Sequence, residues 1–148
     1  MPEEPNIGLL MFIAHRALEK RVLDAVTDAG FGITLAQARI FQRVGPDGTR
    51  LTELAEQAQV TKQTAGFLVD QLERAGYVER VADPTDARAR LVRIAERGRR
   101  ATVVAAAVVA EVEAEWTAHL GVRRMADVRD ALTRLRQITD PYERRTTG

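Results

Sequence analysis

A chain of 148 residues, 45% hydrophobic and 5% aromatic with a formal charge of +1, is long enough for one domain, or one domain with added dimerisation helices. It contains no cysteine, which excludes disulfide frameworks, thiolate zinc sites, cysteine nucleophiles and thiol redox sensing, and its two histidines exclude a multi-histidine metal site. An apolar set made mostly of Ala, Val and Leu suits a helical protein better than a strand-rich one.

The charge is unevenly spread. Residues 1–60 carry 6 basic and 8 acidic groups, residues 61–100 carry 9 and 6, and residues 101–148 carry 7 and 7. Within 86–100, Arg88, Arg90, Arg93, Arg97, Arg99 and Arg100 face only Asp86 and Glu96. A local excess of this kind is a footprint for a polyanion or simply a solvated face. The longest wholly apolar run, Val103 to Ala110, falls far short of the ~20 residues that span a bilayer. Glu3 and Glu4 at the start do not read as a signal peptide, so a cytoplasmic protein with no membrane contact is expected.

In chain order, Ile7, Leu10, Met11, Ala14, Leu18, Val22 and Val26 keep helical spacing until Gly30 and Gly32. Thr34 with Gln37 forms a capping-box pattern that opens a second helix. Ala38, Phe41 and Val44 continue it to the turn cluster Gly45-Pro46-Asp47-Gly48. Leu51, Leu54, Ala55 and Ala58 predict a short amphipathic helix, with Val60 plugging a tight turn. Thr61 is the N-cap of the next helix, whose stripe is Ala65, Leu68, Val69 and Leu72 and whose stop is Gly76. Two short helices joined this closely are a helix-turn-helix.

Tyr77 to Val81 alternates like a half-buried strand, Asp83-Pro84-Thr85-Asp86 is a turn, and Leu91 to Ile94 is the returning strand. A hairpin directly after a helix-turn-helix is a wing. Gly98 opens a helical stretch reaching about His119, whose Ala/Val-rich first half predicts burial on all sides. A last helix is expected from about Ala126 to Thr139, with Val128, Leu132, Leu135 and Ile138 on one face, and the terminal few residues read as disordered. The fold class is therefore mainly α with a small β-hairpin wing.

The stretches LTELAEQAQVTKQTAGFLVDQLERAGYVER and DPTDARARLVRIAERG resemble the winged helix of MarR-type (multiple antibiotic resistance regulator) transcription factors. The resemblance is specific over Leu51 to Gly98 and extends to the ends only in helix order. It implies one MarR-like protomer over 1–148, with 34–98 as the winged-helix DNA-binding part and 6–30 and 99–140 as helical dimerisation parts. It also implies palindromic double-stranded DNA as a partner, and often a small effector. Three positions depart from the pattern: Gln59 stands where the family often has Gly, Ile94-Ala95 where many members have Leu-Thr, and Phe67 where many carry Arg.

On a wheel centred on Ala65 the outward positions are Gln63, Phe67, Asp70, Gln71 and Arg74, with Lys62, Thr64 and Gly66 on the flanks. The N-terminal part of a recognition helix meets base edges. Gln63 can bond adenine bidentately, Lys62 can meet guanine or phosphate, and Thr64 a base or phosphate. Thr61 and the free N–H groups at the helix start suit a phosphate. Phe67 either touches thymine methyls or packs back on the preceding helix, and Gly66 lets the backbone approach DNA. The major-groove set is thus Thr61, Lys62, Gln63, Thr64, Gly66, Phe67 and Gln71.

In the wing, Arg88 matches the arginine of the family's Asp-x-Arg, which resembles one entering a narrow A·T minor groove. Asp86 matches the acid, expected to orient the wing arginines by ion pairing. Arg90 and Arg93 are phosphate contacts or wing-stabilising partners. His15 and Arg16 on the first helix could pair an anionic effector, with Phe12 and Trp116 as ligand walls or as core and interface residues. No metal and no cofactor is expected, and His119 reads as a surface residue.

Together these readings predict a homodimeric, sequence-specific DNA-binding regulator, a repressor by expectation, responsive to a small anionic or aromatic effector. The alternative is a winged-helix module that binds protein rather than DNA, for which Phe67 and the near-neutral charge speak. An enzyme is the weakest reading: the sequence has no phosphate-binding glycine loop, no HExxH and no Gly-x-Ser-x-Gly elbow.

Overall fold

The computed structural model describes residues 3–142. The elements are α1 (Ile7–Asp28), α2 (Leu35–Phe41), α3 (Leu51–Ala58), α4 (Lys62–Arg74), β1 (Val78–Asp83), β2 (Asp86–Ile94), α5 (Glu96–Leu120) and α6 (Val122–Thr139). They form two compact units, one up to Val108 and the other from Val109. The outermost terminal positions, expected to be disordered, lie outside the described residues.

Local chemistry sets most boundaries. Asn6 caps α1 by accepting the Leu9 N–H at 2.8 Å. The capping box at α2 is complete: Thr34 Oγ1 accepts the Gln37 N–H and Gln37 Oε1 accepts the Thr34 N–H. The helix stops at Phe41, short of the expected Val44. The chain tightens there, Arg43 donating to the Ile40 carbonyl and Val44 to that of Phe41, and this turn delivers Val44 into the core. Gln59 ends α3 in the left-handed region at φ 57°, where glycine would be at ease. Its own side chain offsets the strain by donating to the Glu56 carbonyl at 2.7 Å. Gly121, at φ 93°, ends α5 and starts α6 four residues earlier than the periodicity suggests.

The core of the first unit gathers one face of each short element: Ile40 from α2, Leu54 and Ala55 from α3, Ala65, Leu68, Val69 and Leu72 from α4, then Tyr77, Val78 and Val92. The hairpin is antiparallel, pairing Val78 with Ile94 and Arg80 with Val92, with an irregularity at Ala82/Asp83. The returning strand begins at Asp86 rather than Leu91 because pairing continues out to the turn. Thr49 adds an isolated bridge to Val92, its N–H donating to the Val92 carbonyl at 2.9 Å and its carbonyl accepting in return at 2.8 Å. The wing base is thereby stitched to the loop before α3.

The expected all-round burial of early α5 does not hold. Ala101 is buried and Val104 and Ala105 pack on the core, but Val103 is 70% exposed and Ala106, Ala107 and Ala110 are exposed. Within this chain the segment has a packing partner on one side only, so an apolar residue on every side does not mean burial on every side. Thr102, Thr117, Thr133 and Thr139 each donate a hydroxyl hydrogen bond to the carbonyl four residues back, at 2.7–2.9 Å.

Gly98 sits where α5 crosses the start of the hairpin. A Cβ there would collide with the Tyr77 carbonyl oxygen, with the Ile94 methyl and Phe41 ring close behind. A Gly98→Ala variant should therefore lose about 1–3 kcal/mol of stability through overpacking. Gly66, in mid-helix, is the opposite case. A Cβ there meets only the Leu51 side chain at an ordinary 3.6 Å, so Gly66→Ala should gain roughly 1 kcal/mol from helix propensity. Urea denaturation of both variants beside the wild type checks the two signs.

Candidate nucleic-acid interface

The α4 helix is divided along its length. Its inner face is the buried stripe Ala65, Leu68, Val69 and Leu72. Towards its C-terminus the polar side chains Asp70, Gln71 and Glu73 are tied to the protein, while Arg74 at the very end is exposed. Asp70 pairs with Arg80 at 2.8 Å, and Glu73 takes both the Arg80 guanidinium at 2.9 Å and its backbone N–H at 3.0 Å. Gln71 Oε1 accepts from Gln37 Nε2 at 3.0 Å, so this half-buried side chain is engaged with α2 and is not presented outward like its neighbours.

Towards the N-terminus the picture reverses. Thr61 caps the helix, its hydroxyl oxygen accepting the Thr64 N–H at 3.1 Å while its hydroxyl donates to Thr64 Oγ1 at 3.0 Å. Thr61, Lys62, Gln63, Thr64 and Phe67 are exposed, and Gly66 is half-buried between them. The Phe67 ring is 59% exposed, so it does not fold back on α3. The result is a strip of donors, acceptors and one apolar ring in the first two turns, on a helix whose other sides are fixed.

The wing divides in the same manner. Arg93 donates to Glu79 Oε1 across the strands at 3.0 and 2.6 Å, and so braces the hairpin. Arg97 donates to the carbonyls of Ala75 and Gly30 and lies 4.6 Å from the centre of the Tyr77 ring. Arg99 pairs with Glu96 at 3.2 Å. Among the described residues Arg88 and Arg90 have no ion-pair partner and both are exposed. Half of the basic cluster is thus internal bracing.

Asp86 differs from expectation. It does not pair with the wing arginines; its Oδ1 accepts the backbone N–H of Arg88 at 3.0 Å, and its Oδ2 lies 3.8 Å from Arg50. The turn places the two residues close enough for an amide contact while the Arg88 guanidinium extends outward.

Sequence reading missed four residues. Arg50 and Asp83 pair at 2.8 Å across 33 positions, Arg80 joins the hairpin to α4, and Arg97 joins α5 to the end of α4. None of these contacts carries a periodic signal, the Arg50 and Arg97 ones because they span 33 and 22 positions, and only the Asp-Pro turn hinted at Asp83.

Three of the effector candidates lie on α1 and the fourth belongs to the second unit. Phe12 is exposed on α1, and His15 faces Glu19 at 3.4 Å, which also accepts from Arg39. Arg16 is exposed on the same helix, while Trp116 is half-buried in the second unit. A separate groove of about 410 Å³ is lined by Gly45, Pro46, Ile94, Thr102 and Val103 with Arg93 and Arg99, and none of the four candidates borders it. No group of three His, Asp or Glu side chains among the described residues could hold a metal ion, and no helix there is long and apolar enough to cross a membrane.

Residues 31–89, spanning the helix-turn-helix and most of the wing, match the model of the MarR family. No curated protein matches the sequence. Among solved structures, a MarR-family protein of Mycobacterium tuberculosis in complex with salicylic acid is 27% identical, with 91% of this chain and 99% of that one covered at a TM-score of 0.66. A transcriptional regulator of Thermotoga maritima is 25% identical over 95% of this chain and 96% of its own, with a TM-score of 0.64. MarR of Escherichia coli, in its apo form, shares the fold at 20% identity over 90% of this chain and 98% of its own, with a TM-score of 0.70.

Asp83 has the most perturbed acidity of the wing. The Thr85 hydroxyl and amide, then Arg50, hold its carboxyl at about 2, below the usual 3.8. A carboxyl whose folded value lies below its unfolded value contributes stability in full above about pH 4, and that contribution disappears as pH falls through about 2. An Asp83→Asn protein lacks this component. Its urea midpoint should fall less steeply than that of the wild type between about pH 4 and about pH 2.

Proposed function

We propose that this chain, whose winged helix matches the MarR family model over residues 31–89 and whose fold is similar to that of MarR-family regulators, acts as a homodimeric, sequence-specific DNA-binding regulator, a repressor released by a small effector. The observation that carries the reading is the division of side chains in α4 and the wing. Most polar groups in the second half of α4 and on the hairpin brace the fold, and among the described residues Lys62, Gln63, Arg88 and Arg90 are exposed without a partner at the two places a winged helix offers to major and minor groove, with Arg74 likewise exposed at the far end of α4.

Two apolar faces support the dimer. On α1, Ile7, Leu9, Leu10, Met11, Phe12 and Ile13 are exposed, and on α6 so are Val128, Leu132, Leu135 and Ile138. Exposed apolar side chains in such number on one helix mark an interaction site, and a two-fold partner covers the same face on both copies. Two α4 helices then enter successive major grooves about 34 Å apart on a pseudo-palindrome.

The salicylic acid bound by the mycobacterial relative supports a small aromatic or anionic effector for this chain. Phe12, His15, Arg16 and Trp116 are its candidate contacts. An effector that prefers one spacing of the two α4 helices lowers DNA affinity by population shift.

A winged-helix module for protein partners is the second reading, favoured by the exposed ring of Phe67. Salt separates the two. Binding to the intergenic DNA beside the protein's own coding region should weaken steeply with ionic strength, whereas an apolar protein interface is largely indifferent to it. Arg88→Ala should weaken operator binding and flatten the salt slope by about one. Phe67→Ala should relax preference at one thymine position in a competition series, and unchanged base preference would remove the thymine contact.

A further inference from the structure

We infer that Arg50 is the positioning residue of the wing: through Asp83 it fixes where Arg88 stands relative to α4, and so sets the spacing between the two DNA-reading elements. This rests on the DNA-binding reading above and adds a residue that neither motif contains.

A two-stranded hairpin has little stability of its own, so its direction has to be imposed from outside. At the base, the Thr49–Val92 bridge does this. At the same level Arg80 ties β1 to α4 through Asp70 and Glu73, and at the turn end the anchor is the neighbour of Thr49, Arg50, which stands at the N-cap of α3. Its Nε and Nη2 both donate to one oxygen of Asp83, Oδ2, at 3.1 and 2.8 Å.

The other oxygen has a different task. Oδ1 accepts the Thr85 N–H at 2.8 Å and the Thr85 hydroxyl at 2.7 Å, which shapes the turn. With its side chain only 7% exposed, Asp83 joins the turn to α3 through a single carboxylate. The turn passes directly to Asp86, which takes the Arg88 amide and lies within reach of the same Arg50 guanidinium.

A continuous path therefore runs from the start of α3 through Arg50, Asp83 and Asp86 to the backbone of Arg88. From the other end of α3 the left-handed Gln59 leads into the cap of α4. The guanidinium fork of Arg50 is already directed at the turn, which separates its role from that of a phosphate contact. Because the carboxyl stays ionised far below neutrality, the anchor is permanent at working pH and is not a proton switch.

The test is a double-mutant cycle on the full chain, with wild type, Arg50→Met, Arg88→Ala and the double variant titrated against operator duplex by fluorescence anisotropy. Asp83→Asn is measured in parallel as a near-isosteric second break of the same contact. Arg50→Met and Asp83→Asn should each weaken binding about tenfold, and in the Arg88→Ala background the Arg50 loss should shrink to about twofold or less. In the free proteins, amide exchange at Thr85 and Arg88 should accelerate while exchange in α4 stays as in the wild type.

An equal Arg50 loss in both backgrounds, or full affinity in Asp83→Asn, overturns the proposal and makes Arg50 a direct contact. Unchanged exchange at the turn in a protein that binds DNA also overturns it. A wild-type protein that binds no duplex removes the DNA reading itself, and this positioning role with it, whatever the exchange shows.

Discussion

The structure turns on the crossing at Gly98, where α5 lies directly on the Tyr77 carbonyl. Three segments meet there: the end of α4, the start of β1 and the first turn of α5. Ala95 donates its N–H to the Tyr77 carbonyl at 3.0 Å, and Arg97 reaches from the next turn over the Tyr77 ring to the Ala75 carbonyl. Any side chain at position 98 would force these segments apart. The α4 helix, the hairpin and the start of α5 thus share one junction, and none can be re-aimed without disturbing the others.

Around that junction the molecule uses charge in two distinct ways. Arg80, Arg93, Arg97 and Arg50 hold elements together, each satisfied by carboxylates or carbonyls of the chain. Such pairs contribute modest stability where exposed, but they fix geometry. Lys62, Arg88 and Arg90 are left without internal partners among the described residues. Net charge hides this division, because +1 averages braces and free groups together. The free groups are held at set positions by the braces.

How much of this the sequence disclosed follows from the range of each interaction. Caps and stops are local, so Thr34 with Gln37, Thr61 and Gly76 were legible from the residues themselves. The winged-helix order was legible for the same reason, strengthened by the two stretches that resemble the MarR pattern. The end of α2 was not, because Val44 keeps helical spacing while the backbone tightens into another kind of turn. The burial of early α5 was misjudged because composition does not say how many sides of a helix have neighbours. Gln71 was placed among the outward groups by the wheel, yet a partner 34 residues away engages it. Arg50 and Asp83 were invisible for that reason too: neither residue type nor spacing announces a contact between a loop and a distant turn.

The four threonines of α5 and α6 that return their hydroxyls to the backbone have an effect on how these helices meet their surroundings. A hydroxyl committed to the carbonyl one turn back leaves a methyl group as the main chemistry the residue can present. At Thr102, Thr117, Thr133 and Thr139 the side chain then behaves much as valine would. On α6, Thr139 stands one turn after Leu135 and beside Ile138, so the apolar stripe there is longer than a count of hydrophobic letters gives. Water wets these threonines less than hydropathy suggests, and an apolar surface laid across them strips no hydroxyl of its hydrogen bond.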